Sequence, residues 1–338
     1  PGGGPRGSAL ARARYTTIRD SKLRPVVWAG LLWLIKHQAD DGHWEPAADS
    51  AYSAVEVTAA GSLALMEAGY SPGGRSKAAA RLRAALSWLA GRERDDGTFG
   101  VTGARQAHAQ AMALTALSEA LRLTDNATVR RRFRPLVTRA LTNLIERQES
   151  SGRWEDAELT TLTVTAMGAA RAAGLAVNAE PHRQAVAWLC EYESSFGTPV
   201  LANRSSAAEP AKDVSFATIG RVLAGDRELL GSADAASEAA EKLAAAEVVW
   251  ERGDFFRWYA GTLAAYRLDG RPWEQWRNQL LRGLIVDGWR EPPRRRSDRG
   301  SWRPHAQSKG CGRCYSTAMA VLAITATYGH SPVYGGTK

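Results

Sequence analysis

The amino-acid sequence predicts an all-α fold, an α/α toroid in which six helical hairpins form a closed double ring. A marker of fixed internal spacing recurs along the 338 residues, and the segment before each marker carries apolar residues at helical spacing. Alternating patterns typical of strands are absent over useful lengths. The last apolar segment, YSTAMAVLAITATY, would make a poor solvent-exposed cap for an open array, which favours ring closure.

The recurring marker contains a Leu, then Gln or Glu, then Gly and an aromatic residue. It reads WLIKHQADDGHW, WLAGRERDDGTF and NLIERQESSGRW, with glycines 55 residues apart. Glycines at positions 197, 253 and 300 continue the series at intervals of 45, 56 and 47 residues, so six units fill the chain. The residues assigned to this structural repeat are Gln38, Gly42, Trp44, Gly97, Phe99, Gln148, Gly152, Trp154, Gly300 and Trp302.

Each unit is predicted to contain two helices. The first carries most of the arginine and is expected on the outside, and the marker glycine is expected to cap it, because glycine adopts a positive φ at little cost. The second is rich in Ala, Gly, Thr and Ser, as closely packed inner helices require. The inner helices are predicted over Ser53–Ala68, His108–Leu123, Leu159–Ala173, Val214–Leu223, Phe256–Leu268 and Cys314–Tyr328.

Composition is typical of a folded protein and argues against a membrane-spanning one. Hydrophobic residues make up 44% and charged residues 23%, and no apolar run approaches the ~20 residues of a membrane helix. The net charge of +9 would attract anions, but no aromatic–basic motif accompanies it, so we expect no specific nucleic-acid binding. Three cysteines are too few for a disulfide scaffold.

The domain organisation is predicted to be simple. Residues 1–23 are expected to form a linker-like N-terminal segment, and residues 24–338 a single toroid domain. The chain begins at Pro1 rather than Met, which we interpret as a fragment, a trimmed form or a processed form, so the sequence does not test for a targeting segment. We therefore expect a soluble domain and assign it no compartment.

The block that begins at Trp33 resembles the QW repeat of squalene–hopene cyclases. This resemblance extends over the chain in six units and implies membership of the terpenoid cyclase and protein prenyltransferase superfamily, which also includes the thioester domains of complement. In that superfamily the Gln caps a neighbouring helix end and the Trp stacks against it. The resemblance implies this role for Gln38 with Trp44 and for Gln148 with Trp154.

The catalytic motifs of that superfamily are not found in the sequence. The Asp-x-Asp-Asp motif of class II cyclases is absent, and the Asp40-Asp41 and Asp95-Asp96 pairs lie in turns, where solvated carboxylates are expected. The thioester motif Gly-Cys-Gly-Glu-Gln is replaced by GCGRC, which lacks the Gln that forms the bond. Neither chemistry is therefore predicted.

A zinc site is the one cofactor hypothesis that the sequence raises. Protein prenyltransferases bind zinc through an Asp two residues before a Cys, and Gly312 occupies that place before Cys314. Cys311 and Cys314, with His305 or His330, are the weak candidates for a different zinc or redox site. The alternative is that both cysteines pack as small residues at a helix start. No other cofactor is predicted.

Candidate site residues come from the first turns of the inner helices, which converge on one mouth of a ring. The catalytic candidates are His108 as a base and Glu56 or Asp254 as its partner. The alternative is that the carboxylates cap helices and the histidine is a satisfied buried residue. The candidates for ligand binding are Tyr52, Phe216, Arg257, Trp258, Tyr259 and Tyr315.

The leading functional hypothesis is a terpenoid-cyclase-like or prenyltransferase-like toroid that binds an apolar, isoprenoid-like ligand in its central cavity. One alternative is a non-enzymatic module of a longer protein that binds a protein partner. The other is a polysaccharide-active helical-barrel enzyme that acts on an anionic polymer at a basic mouth. The arginine run at 294–296 is interpreted as a solvated loop.

Overall fold

The computed structural model describes residues 7–195, 208–245, 248, 250, 253–289, 296–304 and 310–329. Within these residues it contains fourteen α-helices, a π-helical continuation of the thirteenth over Arg282–Trp289 and a 3₁₀ turn at Arg296–Asp298. The α-helices are α1 (Gly7–Asp20), α2 (Arg24–Lys36), α3 (Ala54–Glu67), α4 (Lys77–Ala90), α5 (Gln106–Arg122), α6 (Ala127–Glu146), α7 (Ala157–Ala172), α8 (Ala179–Ser195), α9 (Ala208–Ala224), α10 (Arg227–Gly231), α11 (Ala233–Ala245), α12 (Phe255–Leu268), α13 (Gly270–Leu281) and α14 (Gly312–Ala326).

Six of these helices form a closed inner ring. In order around it, α3, α5, α7, α9, α12 and α14 each pack against the next, and α14 packs against α3. The helices α2, α4, α6, α8, α11 and α13 form the outer ring, so each unit is a hairpin of one outer and one inner helix. The prediction of an all-α toroid of six hairpins is confirmed, and no strand occurs among the described residues.

The inner helices are buried on all sides, which explains their composition. In α3 every residue from Val55 to Glu67 is buried. Several of their hydroxyl groups are satisfied within the same helix: the hydroxyls of Ser62, Thr115 and Thr165 each donate to the carbonyl four residues earlier, at 2.8 Å. Such bonds let Ser and Thr supply small polar side chains to the inner ring.

The marker glycines hold neighbouring outer helices together rather than capping a helix. The outer helices α2, α4 and α6 end six or seven residues before their glycines, so the predicted capping role is wrong. Each of these glycines has a positive φ in a tight turn, and a Cβ on Gly42, Gly97 or Gly152 would lie 2.5–2.6 Å from backbone of the next outer helix. Glycine is required because the adjacent helix occupies the space of a side chain.

The marker glutamines bond the turn that contains the marker glycine to the next outer helix. Gln148 Nε2 donates to the carbonyls of Gly152 at 2.7 Å and Pro181 at 2.8 Å, and Gln38 makes the equivalent pair of bonds. In the second unit the marker has Glu93, which cannot donate and instead pairs with an arginine of α6. There Gln110, from the inner helix α5, donates to the carbonyls of Gly97 at 2.7 Å and Ala140 at 3.1 Å.

The marker tryptophans connect each turn to its own outer helix. The indole N–H groups of Trp44, Trp154 and Trp302 donate to the carbonyls of Leu34, Leu144 and Leu284, at 2.7–2.8 Å. The carbonyls of Leu34 and Leu144 lie in the last turns of α2 and α6, and that of Leu284 lies in the π-helical continuation of α13. The tryptophans therefore bond each turn to the C-terminal part of its own outer helix.

In the marker turn of the first unit, one histidine lies between two carboxylates. His43 Nδ1 lies 2.5 Å from Asp41 and its Nε2 lies 2.7 Å from Glu45, and the ring stacks on Trp88 of the next unit. Partial burial opposes the charged form, but the two carboxylates outweigh it and raise the pKa of His43. The imidazolium therefore links the first two units.

The ring closes between its last and first units by the same contacts that join the others. The indole N–H of Trp33 donates to the carbonyl of Ser297 at 2.7 Å, across 264 residues of sequence. A Cβ on Gly300 would lie 2.7 Å from the carbonyl oxygen of Ala29 in α2. The contact of Gly300 with α2 thus repeats the contacts that Gly42, Gly97 and Gly152 make with the outer helices that follow them.

The N-terminal segment is a helix rather than the predicted linker. Helix α1 lies across the C-terminal ends of the inner helices, and its fully buried Arg14 donates to the carbonyl of Met66 at 3.2 Å and to Glu119 at 2.6 Å. Glu67 lies 3.7 Å from the same guanidinium. Burial raises the pKa of Glu67, whereas Arg14 and its neighbour Arg122 outweigh burial and lower that of Glu119. Apolar periodicity does not predict α1, because α1 has few apolar residues and is anchored by a buried ion pair instead.

Candidate active site at the ring mouth

The first turns of the inner helices meet at one end of the ring, which we call the mouth. Tyr52, just before α3, packs on Tyr315 in the first turn of α14, with ring centroids 4.3 Å apart. Arg105, just before α5, forms an ion pair with Glu56 of α3. Burial raises the pKa of both tyrosines, and the nearby charge of Glu158, in the first turn of α7, acts in the same direction. Four inner helices therefore contribute to one cluster of polar and aromatic residues.

Glu56 is buried and its carboxylate is held by two partners. One oxygen accepts the backbone N–H and the hydroxyl of Ser53, which completes a capping box at the start of α3. The other oxygen accepts from Arg105, at 2.9 Å from Nε and 2.8 Å from Nη2. Burial raises the pKa of Glu56, and Arg105 and the Ser53 bonds oppose that increase. Glu56 therefore anchors Arg105 at the mouth.

Arg105 also covers an aromatic ring. Its guanidinium lies 4.2 Å from the centroid of Tyr52, in a cation–π contact. Burial raises the pKa of both Tyr52 and Tyr315, so both phenols remain neutral donors. The side chain of Arg105 is a quarter exposed, which places a cation and neutral hydroxyl groups beside one another at this end of the ring.

Two consecutive acids, Glu155 and Asp156, precede α7 at the mouth. Asp156 is the N-cap residue of α7 and accepts the N–H of Leu159 at 2.7 Å. Glu155 is exposed and has a φ of +48°, a left-handed conformation that is rare for residues other than glycine. Partial burial and the charge of Asp156 raise the pKa of Glu155, which Arg147 and Arg105 oppose. A strained backbone thus presents one acid beside another that caps a helix.

The catalytic residues predicted from the sequence do not form the expected pair. The hydrogen bonds of Glu56 go to Ser53 and Arg105, so Arg105 rather than His108 is its partner. His108 is buried in the first turn of α5. Asp254 is the N-cap residue of α12 and forms an ion pair with Arg257 one turn later, at 3.3 Å. These placements are those of helix-end residues.

The predicted ligand-binding aromatics lie in three separate clusters. Tyr52 and Tyr315 are at the mouth, whereas Phe216 stacks on Phe256 with centroids 5.7 Å apart. Trp258 is fully buried between Trp250 and Phe255, at 6.2 and 5.1 Å. Tyr259 is buried in the first two turns of α12.

The two cysteines lie at the start of α14. Cys311 is buried with its sulfur 3.1 Å from the hydroxyl of Ser316, and burial raises the pKa of Cys314 to about 11. Within the described ranges, no group of three or more His, Cys, Asp or Glu side chains could hold a metal ion. His305, His330 and the arginines at 294 and 295 lie outside these ranges.

The mouth segments of the first three units carry a net negative charge, although the whole chain carries a net positive charge. The mouth segments 37–53, 91–105 and 147–156 contain ten Asp or Glu and five Lys or Arg. This corrects the expectation of a basic mouth. Sequence reasoning also missed Arg105, whose partner is 49 residues away, and Glu155, whose backbone strain has no sequence pattern.

Comparison with known proteins finds similarity in structure but not in sequence. No protein-family model matches the chain, and no curated protein matches it. In the described part of the chain, no helix is long and apolar enough to cross a membrane.

Three similar solved structures are of one glycoside hydrolase. The GH76A α-1,6-mannanase of Salegentibacter sp. HEL1_6 superposes with a TM-score of 0.64 at 9% identity, over 91% of this chain and 99% of that one. An inactive variant with two consecutive aspartates replaced by asparagine, in complex with α-1,6-mannotriose, gives 0.63 over the same shares at 9% identity. The variant with alanines, in complex with α-1,6-mannotetrose, gives 0.65 at 9% identity over 92% and 100%. This chain shares their fold.

The assignment to the terpenoid cyclase and protein prenyltransferase superfamily is therefore wrong, because the similar structures are mannanases. The repeat residues explain the error. Gln148, Gly152 and Trp154 bond and pack one hairpin against the next, and any ring of helical hairpins can use such contacts. The motif reports how the ring is assembled and not which chemistry it performs.

Proposed function

We propose that this chain is a glycoside hydrolase that cleaves an uncharged polysaccharide at the ring mouth, with Glu155 and Asp156 as its two acids. The observation that carries the proposal is this pair of consecutive acids at the first turn of α7, one of them in a strained conformation. The mannanase of the same fold, which loses activity when two consecutive aspartates are replaced, supports it. The polysaccharide alternative therefore replaces the apolar ligand as our functional hypothesis.

The environments of the two acids suit them to different steps. Glycosidases use one protonated acid to donate to the leaving oxygen and one carboxylate to assist attack at the anomeric carbon. Partial burial raises the pKa of Glu155, which favours its protonated form, whereas Asp156 accepts the N–H of Leu159. Glu155 donates its proton as the bond from C1 to the glycosidic oxygen breaks. Water adds to C1 and gives a proton to Asp156, which balances the reaction.

The charge of the mouth supports a neutral substrate rather than an anionic polymer. Acids outnumber bases two to one in the mouth segments of the first three units, and they would repel uronates or sulfates. Arg105 and the neutral hydroxyls of Tyr52 and Tyr315 provide donors for sugar hydroxyls close by. The α-1,6-linked mannooligosaccharides bound by the similar structures are neutral glycans of this kind.

Release of reducing ends from α-1,6-linked mannan, with xylan and β-glucan as further neutral substrates, tests this function. We expect Glu155→Gln and Asp156→Asn each to reduce kcat at least about 100-fold, the usual contribution of an acid or base. Asp156→Asn preserves the N-cap of α7, because Asn caps helices as well as Asp does. The matched control is Asp95→Asn, which removes a carboxylate from the equivalent turn of the second unit.

Binding separates the substrate class from the chemistry. Calorimetric titration of Glu155→Gln with α-1,6-mannotriose is expected to give the wild-type affinity without turnover. If Glu155→Gln hydrolysed glycans as fast as Asp95→Asn, these acids would not be catalytic. If neither wild type nor variant bound or cleaved any neutral glycan, the hydrolase proposal would fail.

A further inference from the structure

The end of the ring opposite the mouth, which we call the base, is strongly basic in the first three units. It comprises α1, the C-terminal ends of α3 and α5, and the N-terminal ends of α4 and α6. The segments 7–24, 68–81 and 122–134 contain thirteen Lys or Arg and two Asp. Two of these cations, Arg14 and Arg122, pair with Glu67 and Glu119 at the ends of α3 and α5, so eleven Lys or Arg and two Asp lie outside this buried cluster. The mouth segments of the same units have the opposite sign, so charge is separated along the ring axis.

The basic side chains on the base are exposed and come from three parts of the chain. The first two turns of α6 carry Arg130, Arg131, Arg132 and Arg134, and α4 begins with Lys77. Each of these residues is exposed.

Helix α1 adds two more cations to the base. Ala11, Arg14 and Ile18 are buried, whereas Arg12 and Arg19 are exposed on its other side. Because residues seven apart lie on one helix face, Arg12 and Arg19 point the same way. The cations of α1 and α6 thus share one end of the ring.

Some of these side chains are fixed in place by the fold. Arg130 donates to the carbonyl of Leu121 at 3.1 Å and Arg134 to that of Gly174 at 2.8 Å, both at the ends of inner helices. Their guanidinium groups are therefore held at the base, and less side-chain entropy is lost when an anion binds. Only Asp20 and Asp125 carry negative charge in these segments.

The chemistry of the base fits a lipid surface better than a nucleic acid. Recognition of single strands relies on exposed aromatic rings for stacking, whereas the aromatic residues at α1 are half-buried: Tyr15 packs on both Tyr70 and Trp28. The exposed large apolar side chains of the described residues, Leu32 and Val286, belong to α2 and the π-helix. Cations drawn from α1, α4 and α6 form a broad area, as contact with a plane of headgroups requires.

We propose that the base docks on a membrane surface of anionic lipids, which leaves the mouth directed away from the bilayer. Electrostatic attraction to the headgroups supplies the binding, and the acidic mouth segments are repelled by the same surface. This inference is independent of the proposed hydrolase activity, because it concerns the other end of the ring.

Co-sedimentation with vesicles tests it, using phosphatidylglycerol mixed with phosphatidylcholine and pure phosphatidylcholine as the comparison. Wild type is expected to bind the mixed vesicles only, and more weakly as NaCl rises. The double variant Lys77→Gln, Arg131→Gln is expected to have an about 30-fold lower partition coefficient. The matched control Arg92→Gln, Arg94→Gln removes two exposed cations at the mouth end and should bind as wild type does.

A second double variant, Arg12→Gln with Arg19→Gln, guards against a folding defect in the first and should lose binding similarly. The inference is wrong if wild type does not bind vesicles that contain phosphatidylglycerol, or if it binds pure phosphatidylcholine equally well. It is wrong too if the mouth control loses as much binding as the base variants do. It is also wrong if the protein binds soluble dextran sulfate but no vesicle, because the partner would then be a polymer.

Discussion

Replacing Gly152 by Ala tests whether the marker glycines join neighbouring hairpins. Gly152 has a φ of +95°, and an added Cβ would lie 2.5 Å from the carbonyl oxygen of Gln184 in the next outer helix. Gly174 has a φ of +80° and no atom within 4 Å of an added Cβ. A left-handed conformation costs Ala about 1–2 kcal/mol at either site. Gly152→Ala must also displace backbone, which adds about 1–3 kcal/mol, as overpacking does.

Gly174→Ala therefore isolates the conformational cost, and the difference between the variants measures the contact between units. We expect Gly152→Ala to lower the free energy of unfolding by about 2 kcal/mol more than Gly174→Ala does. Urea titrations of both variants, followed by circular dichroism and compared at equal m-values, give this difference. Equal destabilisation would refute the reasoning, because close approach of the next helix would then cost nothing.

Three further changes test other contacts of the ring. Gln148→Ala removes two hydrogen bonds between units and should lower the free energy of unfolding by about 1–3 kcal/mol in urea titrations, whereas the exposed Gln184→Ala should change it little. Arg14→Met should destabilise by about 3–5 kcal/mol, because it leaves buried carboxylates without their cation, and Arg12→Met on the exposed side of α1 should not. The pKa of His43 is raised on folding, so its contribution is complete below its unfolded pKa and disappears as pH rises through the folded one. The Tm difference between wild type and His43→Gln should therefore shrink from pH 5 to pH 9, and a constant difference would contradict the ionic link.

The ring was predictable because its repeat leaves a periodic trace in the sequence. Gly42, Gly97 and Gly152 recur at one spacing, and each meets the next outer helix in the same way. The replacement of one marker glutamine by Gln110 was not predictable, since that side chain comes from the following inner helix. Such a substitution preserves the hydrogen bonds and changes the position of the residue that makes them.

The candidate site was less predictable, for reasons of geometry. Arg105 meets Glu56 only after two units pack, and the positive φ of Glu155 is a property of the folded turn. The sequence directed attention to the first turns of the inner helices, and the two acids that we propose directly precede the first turn of α7. Yet residues there also cap helices, as Asp156 does, so residue type alone cannot distinguish a cap from a catalytic acid.

The closure of the ring between α14 and α3 has a consequence for how the protein folds. The two helices begin more than 250 residues apart, so their contact cannot form by local encounter. Each hairpin can assemble from nearby residues in advance, whereas joining the last hairpin to the first carries a loop-closure cost that falls as intervening units become ordered. Refolding is therefore expected to end with a late step in which Trp33 packs against the turn that contains Ser297. The fluorescence of Trp33 would report this step.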